Sequence, residues 1–75
     1  MPKLPVLSGQ EVVKVLTKLG YSYIRTSGDH AILKKEDVYG KSVIPVPLHK
    51  ELAIGTLKSI INQTGLTRED FLKYI

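Results

Sequence analysis

The chain has 75 residues and no cysteine, so neither a disulfide framework nor a Cys/His metal staple can hold it together. A hydrophobic fraction of 43% supports one compact core but no deep cavity, which argues against chemistry on a small buried substrate. Eleven Lys/Arg against seven Asp/Glu give a net charge of +4, a balance that favours a polyanionic partner, either nucleic acid or an acidic protein.

This length predicts a single domain over residues 1–75. The first segment, Met1-Pro2-Lys3-Leu4-Pro5-Val6-Leu7, is too short and too broken by proline to form the apolar region of a signal peptide. No apolar run approaches the roughly 20 residues needed to span a bilayer. A cytoplasmic location without membrane attachment is the expectation.

The first helix is expected over residues 8–19. Ser8-Gly9-Gln10-Glu11 reads as a capping box, in which the Ser8 hydroxyl takes the Glu11 amide and the Glu11 carboxylate reaches back to the Ser8 amide. Leu7 and Val12 form the matching hydrophobic staple, and Val12, Val13, Val15, Leu16 and Leu19 mark the buried face. Gly20 supplies a left-handed stop. Three valines are poor helix formers, so burial must hold this element. Lys14 and Lys18 fall on its solvent face.

Two β-rich runs follow, Tyr21 to Thr26 and His30 to Lys35, joined by the tight turn Ser27-Gly28-Asp29. Alternation puts His30, Ile32 and Lys34 on one face and Ala31, Leu33 and Lys35 on the other, without saying which face is wet. Residues 36–41 read as a charged loop, with Glu36 and Asp37 solvated. Ser42 to Val46 reads as a third strand, expected to sit at a sheet edge or to end early because Pro45 and Pro47 cannot donate to a ladder.

A second helix is expected near Gly55–Gln63, with Ile54, Leu57, Ile60 and Ile61 as its buried stripe. Gly65 fits the end of a Schellman stop, with Leu66 against Ile61. Thr67-Arg68-Glu69-Asp70 starts a short last helix through a capping-box variant, stapled by Leu66 and Phe71. The order α-β-β-β-α with a short tail helix implies an α+β fold. A three-stranded antiparallel sheet would be covered on one face by two helices, a layout like that of double-stranded-RNA-binding domains.

Very few groups here can carry acid–base chemistry. His30, set at the start of a strand by a tight turn, has the one side chain whose unperturbed pKa, about 6.5, lets it both take and give a proton near neutrality. RNA supplies its own nucleophile, the 2′-hydroxyl, so a nuclease needs only proton transfer and charge stabilisation at phosphate. Arg25, Lys34, Lys35 and Lys50 are the candidate cations, because their segments flank the two histidines. His49, in a proline-rich loop, reads as a cap on backbone groups before the second helix, with a direct role as the alternative. Tyr21, Tyr23 and Tyr39 are candidates to stack on bases, with half-buried strand positions as the equal alternative for Tyr21 and Tyr23. No acidic cluster suggests a metal site, so no cofactor or metal is expected.

Four motifs stand in register along the chain: Arg25-x-x-Gly28-x-His30, Val43-Ile44-Pro45-Val46-Pro47-Leu48-His49, Gly55-Thr56-Leu57-x-x-Ile60-Ile61, and Gln63-x-Gly65-Leu66-x-x-x-x-Phe71. With them the chain resembles HicA-type toxins, the RNA-cleaving members of toxin–antitoxin pairs, from Ser8 to about Tyr74. The resemblance implies a double-stranded-RNA-binding-domain-like fold, cleavage of messenger RNA with His30 at the catalytic position, and inhibition by a HicB-type antitoxin. One position departs from the family: Asp29 stands where serine is usual. A carboxylate there would favour protonated His30 if the two come close, and would repel an incoming phosphate. Two other readings of the residues stand beside the nuclease, a non-catalytic RNA-binding module and a protein-interaction domain.

Overall fold

The computed structural model describes residues 4–75; Met1, Pro2 and Lys3, the start of the segment read above as no leader, lie outside them. The elements run α1 (Gly9–Lys18), β1 (Ser22–Ser27), β2 (His30–Asp37), β3 (Gly40–Pro47), α2 (Ile54–Thr64) and α3 (Arg68–Leu72). This is the expected α+β order of a double-stranded-RNA-binding-like fold, with an antiparallel sheet ordered β1-β2-β3. The edge position of β3 is what its two prolines require.

Helix α1 starts as its capping box dictates. The Ser8 amide donates to Glu11 Oε1 at 2.9 Å, and the Glu11 amide donates to Ser8 Oγ at 3.1 Å. The backbone bond from Ser8, then the one from its side chain, hold the Glu11 carboxyl below its ordinary range. Leu7 and Val12 are both buried, completing the staple. The core lies between one sheet face and the helices: Ala31, Leu33, Ile44 and Val46 meet Val12, Val15 and Leu16 of α1, Leu57, Ile60 and Ile61 of α2, and Phe71. The wet face of β2 is therefore the one that carries His30, Ile32 and Lys34.

Several expectations are corrected. Residues 36–41 do not form a loop: β2 continues to Asp37 and β3 begins at Gly40, leaving only Val38 and Tyr39 to turn. Asp37 Oδ1 accepts from the Tyr39 amide at 2.8 Å and Gly40 takes φ 126°, a turn tight enough for the ladder to run on. Glu36 and Lys41 thereby become cross-strand partners of opposite charge; Glu36 and Asp37 are solvated as expected, but on a strand and not in a loop. Tyr21 precedes β1 and is buried, its hydroxyl 3.2 Å from Ser42 Oγ, so it cannot stack on a base. Ile54 is 48% exposed, so the buried stripe of α2 is Leu57, Ile60 and Ile61 without it.

The two C-terminal stops also differ in detail. Gly65 adopts φ 78° as a left-handed stop, but the Leu66 amide bonds to Thr64 Oγ1 at 3.2 Å, so a side chain replaces the Schellman closure. Thr67 Oγ1 accepts from the Asp70 amide at 3.2 Å, while the Asp70 carboxylate turns to Lys73 Nζ at 3.3 Å. Only half of the expected capping box is built. Among the described residues no helix is long and apolar enough to cross a membrane.

Gly9, the first residue of α1, is buried against the chain that leaves β3. A Cβ there would fall on the Pro47 carbonyl oxygen and crowd Leu48 Cα, both main-chain atoms. The approach lets the Gly9 amide donate to the His49 carbonyl at 2.9 Å. Gly9→Ala sets a helix-propensity gain of about 0.5–1 kcal/mol against an overlap of the kind that costs about 1–3 kcal/mol. Urea unfolding should show a net loss of stability; an unchanged midpoint would mean that the two segments do not touch in solution.

Candidate active site

The first hairpin is what presents His30. Ser27 pairs with His30, so Gly28 and Asp29 alone make the turn. Gly28 takes φ 61° with open space around it, while no residue other than glycine has positive φ among the described residues. Glycine at the first turn position is the requirement of a type II′ hairpin, whose twist matches that of the flanking strands. The His30 ring emerges 45% exposed on the wet face, at the end of the sheet.

The β2–β3 register then brings in the second histidine. His30 pairs with Pro47, and the ladder runs one step further: the Leu48 amide donates to the Asp29 carbonyl at 2.7 Å. His49 follows, and its loop is tied down again by Gly9 and by the Leu52 amide, which donates to the Leu7 carbonyl at 2.8 Å. The Asp29 carboxylate lies between the two rings. Oδ1 is 2.7 Å from His30 Nδ1, and Oδ2 is 2.9 Å from His49 Nε2. His49 caps no backbone group through its side chain here; it bonds to Asp29.

This bridge has electrostatic consequences. The hydrogen bond from His49 is the largest influence on the Asp29 carboxyl and holds it below the ordinary carboxylate range; desolvation opposes this, and His30 adds to the lowering. The ionised bridge therefore stabilises the fold fully above the ordinary carboxylate range and is lost as pH falls through the depressed value. With Asp29 accepting at both oxygens, each neutral ring donates its bonded nitrogen. His30 Nε2 and His49 Nδ1 are left with free lone pairs. The carboxylate that could have repelled phosphate is shared between two donors instead.

Beside His30 an open cleft of about 430 Å³ runs between β3 and α2, lined by His30, Pro45, Pro47, Gly55, Thr56, Ser59, Ile60 and Gln63. That volume lies in the range of ligand sites. Helix α2 begins at Ala53 with no side-chain cap, which leaves amide donors of its first turn for water or an anion.

The candidate cations divide. Arg25 pairs with Ile32, which puts it on the His30 face one step along the sheet, about 7 Å away by strand rise. Lys34 shares that face but lies about 13 Å along the strand, with its ammonium 3.4 Å from Glu36. Lys35 is on the opposite, helix-covered side, its ammonium 5.7 Å from the Tyr21 ring centroid. Lys50 is exposed next to His49. Tyr23 and Tyr39 are exposed, Tyr39 at the far hairpin.

Sequence reasoning missed the link from His49 to Asp29, the cleft wall of Thr56, Ser59 and Gln63, and the close approach of Gly9. A signal for the first existed. Asp37 three residues before Gly40 marks a tight turn, and once that turn is placed, ladder register alone sets Asp29 opposite Leu48.

Fold and site together define a small α+β protein that carries a carboxylate-bridged pair of histidines on its rim. The family model for the HicA toxin of bacterial toxin–antitoxin systems matches residues 9–66. The chain belongs to that family: it is the toxin of a toxin–antitoxin pair, and its partner is an antitoxin. No curated protein matches the chain.

A carbon-detected NMR titration of the Asp29 carboxyl should find it below the usual aspartate range. It should move up in His49→Ala by more than in His30→Ala. An ordinary value in the parent chain would show that the bridge does not persist in solution.

Proposed function

We propose that this toxin is a metal-independent endoribonuclease that cleaves messenger RNA in the cytoplasm, with His30 as its general acid/base. The observation that carries the reading is the geometry of one ring. His30 Nδ1 is held by Asp29 at 2.7 Å, the ring stays 45% exposed, and it forms one wall of an open cleft. A histidine anchored by a carboxylate through one nitrogen keeps the other oriented toward solvent in a defined tautomer. That is what a proton-transfer group acting on a polymer requires.

In the reaction the 2′-hydroxyl oxygen attacks the adjacent phosphorus, a P–O bond forms, and the bond to the 5′-oxygen breaks. His30 carries one of the two protons that must move. Arg25, which shares the His30 face, and Lys50, exposed beside His49, neutralise phosphoryl oxygens on this reading. Lys34 serves the same strand further from the chemistry, and Lys35 is the least favoured of the four from its place on the helix side. Asp29 acts as a positioning residue.

Metal independence rests on the donor set. Both Asp29 oxygens already hold ring nitrogens, and among the described residues no group of three or more His, Cys, Asp or Glu side chains could hold a metal ion. The antitoxin, on this reading, is an acidic HicB-type protein that covers the His30 rim and keeps RNA away.

Induced expression of the parent chain should degrade transcripts, and His30→Ala should slow cleavage by about 10²–10⁴-fold while leaving the fold intact. A His30→Ala chain that cuts as fast as the parent would remove His30 from the mechanism. Purified protein should retain its rate in excess EDTA; abolished cleavage would overturn the metal-free reading.

A further inference from the structure

We infer that His49 is a second catalytic residue, the general acid that protonates the departing 5′-oxygen, while His30 acts as the base. This rests on the ribonuclease reading above and adds a second group at the same phosphate. Three observations carry it. Asp29 binds His30 Nδ1 at 2.7 Å and His49 Nε2 at 2.9 Å through different oxygens. Ordinary hydrogen-bond and carboxylate dimensions then keep the bonded nitrogens within about 8 Å of each other, a span that one phosphodiester can bridge. Both rings are about half exposed, 45% for His30 and 56% for His49, so both present surface to a large substrate.

The third observation is how firmly His49 is held. A residue needed only for solubility or loop closure would not require its main chain fixed on both sides. Here the Leu48 amide bonds to Asp29, the His49 carbonyl accepts from Gly9, and Leu52 is tied to Leu7, all through backbone groups. The ring is thereby presented at a set position whatever its own protonation state.

The cleft assigns the roles. It opens beside His30 and does not include His49, so it suits the nucleotide whose 2′-hydroxyl attacks. The strand that leaves then passes toward His49 and Lys50. His30 Nε2 removes the 2′ proton as the 2′-oxygen bonds to phosphorus. The electron pair of the breaking P–O bond goes to the 5′-oxygen, which takes the Nδ1 proton of a His49 that enters the step as the imidazolium and leaves it as the neutral ring, Nε2 staying bonded to Asp29. The products are a 2′,3′-cyclic phosphate and a 5′-hydroxyl, and the rings regain their starting states by proton exchange with water.

The test uses a leaving group that needs no proton. An oligoribonucleotide with sulfur in place of the bridging 5′-oxygen, at the linkage the parent cuts, releases a thiolate. His49→Ala and His49→Gln should both cut ordinary RNA about 10²–10⁴-fold more slowly, yet cleave the thio-substituted RNA within about tenfold of the parent. His30→Ala should stay slow on both. Glutamine keeps a donor for Asp29, so a His49→Gln chain with parental rates on ordinary RNA would make His49 a positioning residue and overturn the inference. So would His49 variants that stay slow on the sulfur substrate, or rescue of His30→Ala in their place. A parent chain that cuts neither substrate overturns the ribonuclease reading itself, and this inference with it.

Discussion

The contact between the start of α1 and the chain leaving β3 is the constraint on which the site depends. Because position 9 is glycine, two backbones approach to within hydrogen-bonding distance where any side chain would hold them apart. That approach seals the edge of the sheet near His30 and fixes the loop that carries His49. The same few residues form the capping box that starts α1, so helix initiation and site geometry share one piece of chain.

A chain of 75 residues has little interior to spare, and its core is filled by aliphatic side chains with a single phenylalanine and a buried tyrosine. Its polar chemistry is consequently confined to the rim, where two tight turns and a proline-ended edge strand set side chains outward. This arrangement suits a large polyanionic substrate better than a small one. On the proposed ribonuclease reading, the polymer would bring its own nucleophile and binding surface, and the protein would need only an open cleft and a few oriented groups.

Asp29 resolves an electrostatic conflict. A bare carboxylate next to the His30 ring would oppose phosphate binding. Held between two N–H donors, it instead orients both rings, and its charge is balanced whenever either ring is protonated. A serine at this position could hold one ring but carries no charge to stabilise an imidazolium. The carboxylate at position 29 thus couples the two histidines.

The local elements were written in the sequence because their signals act over three or four residues: Ser8 with Glu11, Gly28 in its turn, Pro45 and Pro47 at an edge, Thr67 before the last helix. The fold class followed from their order, but alternation left the wet face of β2 open, and His30 faces solvent because Ala31 and Leu33 on the other face join the core. What could not be read locally depended on register and on main-chain approach. Residues 36–41 looked like a charged loop until pairing made Glu36 and Lys41 neighbours, and Tyr21 looked available until the core enclosed it. His49, twenty residues from Asp29, reached it only because the β2–β3 ladder overruns its last strand pair and Gly9 lets α1 close behind it. Hydrogen bonds between residues distant in sequence are set by the packing of whole elements, and that packing is decided by the tertiary structure alone.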